Sequence, residues 1–445
     1  TLDGYVAVPG KGISRPASER VAVSVHLDYG GGVTTVVGPD TVGVPGGIAL
    51  FGRASEHYGK LPWKTLFEPA IDITRKGFPL PAASFHYLEY SAGPIFDRSP
   101  DGRTALHHAD GRLKQAGETI IVPHLADSLE RIARNGPAEF YTGELGRRIA
   151  GSVIADGGRL SEQDLASYRV IERPSLEFEL DDWRIATNPP PAVGGAVLCA
   201  MLQLLGKTDI DEWDTTSLQQ LIDIQRAVLG FRKKRLDHSD DLAADAAELL
   251  GMTLHGDLAA VLEAGSTCHV SAVDEDGLAC SITVSAGYGS GEMPPDTGIW
   301  LNNCLGELEL NKHGLEPGPP GERLPSNMAP TVALGDSGEV LAIGSPGADR
   351  ITTAISQVLF NHLRLGLPIQ QAIDAPRLHV EFADDIARVA YEAGLPVDRL
   401  DVASRRFDGL SMFFGGVGAA AWSPEHGFMA AADPRRTGGT WTPGP

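Results

Sequence analysis

Cysteine is scarce. The 445 residues hold four, at Cys199, Cys268, Cys280 and Cys304, and no two form a Cys-x-x-C pair. Neither a zinc ribbon nor a disulfide framework is indicated, and a reducing compartment such as the cytoplasm suits the chain. Apolar runs of membrane length are absent, and no signal peptide is read in the sequence. Basic residues are outnumbered, 37 Lys and Arg against 58 Asp and Glu, for a formal net charge of -21. That balance argues against nucleic acid and anionic membranes as partners and leaves small molecules. The isolated basic run Arg232-Lys233-Lys234-Arg235 reads as a solvated helix face. His86, His107 and His108 have no acidic residue at ligand spacing and read as surface histidines. Neither a metal nor a cofactor is called for, and there is no internal repeat or low-complexity tract.

Apolar content is ample. At 42% of residues it can fill a large core, in two subdomains or one large α/β unit. Segments 21–27 and 33–37 are extended. Helices are predicted over 48–58 and over 63–76, the second ended by Gly77. Amphipathic helices at 124–135 and 143–156 stop at Gly136-Pro137 and Gly157-Gly158. Ser161-x-x-Asp164 is a helix start of capping-box type, with Asp in place of the usual Glu. A hairpin over 175–187 turns at Asp181-Asp182. Pro189-Pro190-Pro191 stiffens the approach to an apolar helix, 196–205. Helices over 217–234 and, Ala-rich and acidic, over 240–262 follow. Further on, 332–334 and 340–343 are short strands, and Gly344-Ser345-Pro346-Gly347-Ala348-Asp349-Arg350 opens a helix, 351–365.

The organising stretch is 265–312. A run of alternating polarity, 267–273, reaches a turn at Asp274-Glu275-Asp276-Gly277, and a second extended run, 278–285, follows; such a pair reads as a hairpin. A Gly-rich loop (287–291) leads to Trp300 and the pair Asn302-Asn303. Thr267, His269 and Ser271 share one face of the first strand, and Thr283 and Ser285 share a parity on the second. Alternation turns Cys268 to the opposite face, where it reads as a packed apolar cysteine rather than a rival nucleophile.

Thr267-Cys268-His269-Val270-Ser271-Ala272-Val273-Asp274 resembles the Thr-Thr-His-x-Ser-Val-Val-Asp motif that opens the small subunit of the gamma-glutamyltranspeptidase family of N-terminal-nucleophile hydrolases. The resemblance runs from about Asp40 to Arg435, and Pro189-Pro190-Pro191 with Gly194-Gly195 and Asp433-Pro434-Arg435 join it. It implies an αββα sandwich of two stacked sheets. It also implies cleavage at Ser266–Thr267 into a large subunit, 1–266, and a small one, 267–445. A mid-chain threonine has no base. Freed by cleavage, its α-amine titrates near ~7.7–8.0 and can take the proton of its own hydroxyl. Ser285 and Thr283 would attend that hydroxyl or amine, with His269 behind them. Gly347 and Ala348, where the family has Gly-Gly, would supply the oxyanion amides.

Substrate contacts diverge more. The resemblance assigns Glu307 to a substrate amine, puts Cys304 where the family has Gln, and sets Gly287 near a family Asn. Asn303 adjoins this group. Ser326-Asn327 stands for a Ser-Ser pair that binds a carboxylate. Tyr5 falls where a carboxylate-binding Arg is expected, and Arg15 or Arg20 is left to compensate. A Gly-Gly-Asn-Ala helix that family members carry ahead of this region is not found. The activity implied is acyl transfer from a gamma-glutamyl-like amide to water or an amine. Two other readings stand beside it. One is a natural-product enzyme, as in alkylproline-type biosynthesis, that cuts a non-glutamyl amide or a C–C bond next to a carbonyl. The other is a non-catalytic scaffold of the same fold. Whether copies assemble into a homo-oligomer is left open.

Overall fold

The computed structural model describes residues 1–14, 19–28, 32–255, 267–308, 310, 311, 313–383 and 386–443. Contacts divide the chain into two compact units. One comprises Leu2–Arg173 and Ala286–Leu324; the other comprises Thr1, Pro174–Ser285 and Pro325–Pro445. Among the described residues no helix is long and apolar enough to cross a membrane.

In the first unit, β1 (Val23–Leu27) pairs antiparallel with β2 (Val33–Val37). Helices α1 (Gly47–Tyr58) and α2 (Trp63–Lys76) follow where the apolar spacing predicts them. The polar segment after them holds two helices that the pattern does not betray, α3 (Ala82–Ser91) and α4 (Pro100–Leu106). Their buried positions are few and do not repeat as a stripe, so periodicity had little to detect. The histidines there do meet acids: His86 faces Glu89, one helical turn on, at 3.0 Å, whereas the fold brings Asp97 to His107 at 3.4 Å and Glu118 to His108 at 3.1 Å. Helices α5 (Leu125–Asn135) and α6 (Glu144–Ala155) bury Ile132, Leu145, Ile149 and Val153 with Val42 and Val44 in one core. The capping box opens α7 (Glu162–Ser167): Ser161 Oγ accepts from the Asp164 amide at 3.0 Å, and Asp164 accepts from the Ser161 amide at 2.9 Å. Asp164 also takes the amides of Gly10 and Lys11, so one short carboxylate closes the box and staples the N-terminal segment.

The second unit is built on a six-stranded antiparallel sheet. Its strands are β3 (Leu176–Leu180), β4 (Trp183–Thr187), β7 (Thr331–Gly335), β8 (Val340–Gly344), β12 (Gly418–Ser423) and β13 (Gly427–Ala432). The order across the sheet is β13-β12-β8-β7-β4-β3. One face is covered by α8 (Val193–Leu205), α9 (Thr215–Lys234) and α11 (Arg350–Leu359), with Ile185, Ala333, Leu341 and Ile343 meeting Leu198, Leu202 and Ile355 in the largest core. The helix predicted over 351–365 changes character at Phe360, where a π-helical stretch, Phe360–Arg364, takes over. Of the acidic segment 240–262, the described part is helix α10 (Leu242–His255); the rest lies outside the described residues. Strands β9 (Leu378–Ala383), β10 (Ile386–Glu392) and β11 (Ser404–Phe407) form a separate small sheet.

The other face of the large sheet receives the hairpin of β5 (Cys268–Val273) and β6 (Ala279–Val284). This contact is polar. Ser281 Oγ donates to the Ile343 carbonyl at 2.8 Å and accepts from the Thr331 amide at 3.0 Å, and Ser271 Oγ donates to the Gly418 carbonyl. The outward face of the hairpin is apolar and open, with Val270 64% exposed. Helices on one face of the main sheet and strands on the other reproduce the helix–sheet–sheet stacking that the sandwich requires.

Core and hairpin should respond differently to substitution. Leu198→Ala, at a fully buried position, is expected to cost about 2–5 kcal/mol, whereas Val270→Thr should change stability by less than about 0.5 kcal/mol. Urea denaturation of the two variants checks the contrast.

Candidate active site

Thr267 immediately precedes β5 and is partly buried. In the hairpin register Val284 faces Cys268 and Thr283 faces His269. Continued by one residue, that register puts Ser285 opposite Thr267. The expected alternation holds: His269, Ser271, Ser281 and Thr283 turn toward the large sheet, and Cys268 turns away. Cys268 is not packed, however. It is exposed, as is Cys280 on the same outer face.

His269 is the keystone of the inner face. Its Nδ1 lies 2.9 Å from Thr283 Oγ1 and its Nε2 lies 2.7 Å from Ser271 Oγ. The ring lies flat on Gly344; a Cβ there would come within 2.3 Å of it, so only glycine fits. Burial pushes the imidazole pKa down to about 4. A neutral ring held from both nitrogens is suited to orienting Thr283, not to shuttling protons near neutral pH.

Further along the same unit, Gly347 has φ 125° and Ala348 φ 61°, and α11 begins two residues later at Arg350. A left-handed alanine costs about 1–2 kcal/mol, so something around it must hold that conformation. The turn lies against Gly415, whose Cα would be 2.7 Å from a Cβ at Gly347. Ser326 and Asn327, expected at a substrate carboxylate, are both buried. The Asn327 amide already donates to Asp349 at 2.6 Å. Asp349 in turn accepts from Arg232, which also donates to Asp237 at 3.0 Å. Arg232 is therefore no solvated helix residue: it is 2% exposed. Burial opposes its charge, but the two carboxylates outweigh that and raise its pKa above the ordinary value. Nothing in the run Arg232–Arg235 marks out this member; its partner Asp349 lies 117 positions away.

The first unit gathers the other expected substrate residues. Tyr5 Oη donates to Cys304 Sγ at 3.8 Å. Burial first, then the charge of Glu307, pushes the Cys304 thiol well above its ordinary pKa; burial, Cys304 and Glu307 do the same to the Tyr5 hydroxyl. Both stay protonated beside the fully buried Glu307. Gly287, at φ 65°, lets the loop run against this group, since a Cβ would come within 2.9 Å of the Glu307 carboxylate. Asn303 is committed to architecture. Its oxygen takes the amides of Tyr288 and Gly289, and its nitrogen donates to Thr35 Oγ1 and the Val36 carbonyl. Arg20 pairs with Glu316 on this unit; Arg15, like Ser266, lies outside the described residues. Among the described residues no three His, Cys, Asp or Glu side chains are grouped to hold a metal.

The neutral His269 has a consequence for acid stability. In the unfolded chain it would titrate near 6.5. Between pH 6.5 and about 4 the unfolded state thus binds more protons, and stability falls as pH falls, by on the order of 3 kcal/mol over the window. Urea midpoints taken from pH 7 to 4 are expected to drop less steeply in His269→Gln. Parallel profiles would count against a neutral, buried ring.

The gamma-glutamyltranspeptidase family profile matches residues 16–442. The chain is 27% identical to a glutathione hydrolase proenzyme of Escherichia coli, over 88% of this chain and 73% of that one. It is 31% identical to a glutathione hydrolase proenzyme of Pseudomonas aeruginosa, over 82% and 70%. Its fold is similar to that of a cephalosporin acylase from Bacillus halodurans, with a TM-score of 0.77 at 23% identity, over 98% of this chain and 83% of that one. At that identity the likeness speaks for fold alone. With a family profile that spans nearly the whole chain, and with relatives matched over most of their length, the chain belongs to the gamma-glutamyltranspeptidase family.

Proposed function

We propose that the Ser266–Thr267 bond is cut autocatalytically, leaving subunits 1–266 and 267–445, and that Thr267 then acts as nucleophile and its own base. The released α-amine takes the proton from Oγ, and Oγ attacks the carbonyl of an amide substrate. The amides of Gly347 and Ala348 receive the oxyanion. The amine leaves with the proton, an ester on Thr267 remains, and water or a second amine resolves it. The observation that carries this reading is the hairpin register, which supports Thr283 and Ser285 on the strand opposite Thr267, with His269 fixing Thr283.

Glu307 is assigned to an ammonium on the substrate, with the protonated Tyr5 and Cys304 as neutral neighbours that add no second negative charge. That arrangement suits a gamma-glutamyl-like amide at its amine end. The carboxylate end is less well provided, since Tyr5 is neutral and the Asn327 amide is engaged with Asp349. This favours the second reading, an amide or ketone substrate without the glutamyl carboxylate, processed by the same Thr267 chemistry.

Denaturing electrophoresis of the purified protein is expected to show two fragments, and Thr267→Ala a single 47.1 kDa band with turnover reduced more than about 10³-fold. One intact band from active, unsubstituted protein would exclude the mechanism. Release of p-nitroaniline from gamma-glutamyl-p-nitroanilide by the cleaved protein supports the glutamyl substrate; cleaved protein inert to it supports the second reading.

A further inference from the structure

The turn that would hold the oxyanion is not self-supporting. Ala348 sits at φ 61° beside Gly347 at φ 125°, and an alanine free to relax would leave that region. The residue after it, Asp349, is anchored by side chains from two other segments. Its Oδ1 accepts from Arg232, in the last turn of α9, and from Asn327 at 2.6 Å. All three side chains are at least 97% buried. Each anchor is itself fixed. Arg232 is held from its other edge by Asp237 at 3.0 Å. The Ser326–Asn327 segment is tied to the start of α8, where the amides of Val193 and Gly194 donate to the Ser326 carbonyl at 2.8 and 3.3 Å. On the downstream side Arg350 donates to the Phe413 carbonyl at 3.0 Å.

We infer that Asp349 is a positioning residue for the reaction: clamped by Arg232 and Asn327, it holds Ala348 left-handed and so keeps the Gly347 and Ala348 amides turned toward the oxyanion. The inference rests on the proposed role of those two amides. A carboxylate suits the task because one oxygen can take two donors from different elements, and because a buried guanidinium without its acid is costly, so the pair resists opening. What the carboxylate delivers is the orientation of two peptide planes. An ordinary helix N-cap would need no such partner, since a backbone amide suffices there.

The test uses a small alkyl fluorophosphonate, in which Thr267 Oγ displaces fluoride at phosphorus through a centre whose P–O⁻ needs the same donors. Adduct on Thr267 is followed by mass spectrometry in the unsubstituted protein, in Asp349→Asn, and in Asp349→Asn combined with Ala348→Gly. The first substitution is expected to slow the maximal labelling rate by ~10- to 100-fold with the half-saturating concentration unchanged. Adding glycine at 348, which adopts the left-handed region freely, is expected to restore the rate to within about threefold. Should Asp349→Asn not fold, as judged by its thermal transition, Asn327→Ala, which removes only the neutral arm, is read the same way with a smaller slowing of about threefold or more. An unchanged rate in the single variant overturns the clamp, and so does a double variant as slow as the single. Absence of adduct on Thr267 of the unsubstituted protein overturns the nucleophile reading, and the clamp falls with it.

Discussion

The contact on which the site depends is the polar seam between the β5–β6 hairpin and the large sheet. Ser281, Ser271 and His269 meet backbone carbonyls, an amide and a bare Gly344 where most stacked sheets would meet through apolar side chains. Hydrogen bonds are directional, so the seam admits one register where a greasy interface would tolerate several. A slip by one residue would turn every inner group of the hairpin outward. Thr267 stands just ahead of β5, so the seam decides which way it points.

The seam also explains the inverted pattern of the hairpin. A two-sided strand pair commonly hides its apolar face, but here the hidden face is polar and Val270, Val284 and the two exposed cysteines lie outside. The stabilisation that apolar burial would have contributed at this layer is supplied instead by the core between the sheet and helices α8, α9 and α11. Polar groups are affordable on the inner face because each has a partner; unsatisfied, the same groups would each cost kilocalories.

Charge is handled in the same way. The chain has a large negative surplus, yet the buried ion pair of Arg232 with Asp237 and Asp349 sits one residue from the left-handed turn. It concentrates rigidity where a strained backbone must be kept. In the first unit burial works on neutral groups instead: it keeps the protons on Tyr5 and Cys304 beside Glu307, so neither adds a second negative charge there.

Local pattern sufficed for most elements, since helices α1, α2, α5, α6, α8 and α9 repeat apolar positions at helical spacing or stop at Gly and Pro, and the hairpins at 175–187 and 267–285 alternate around polar turns. The ordered motif from Thr267 pointed to family and nucleophile. Helices α3 and α4, strands β9 to β13, the acidic partners of His107 and His108, the exposure of Cys268 and the burial of Arg232 did not show in the sequence. Each is settled by what a side chain meets far along the chain. The sequence alone determined which residues could do chemistry and on which strand face they fall, because alternation and turn residues are properties of neighbours. Only the tertiary structure decided which polar groups are spent on architecture, as Asn303 is, and which charge braces the turn at Ala348, because burial and pairing arise when distant segments close on one another and exclude water.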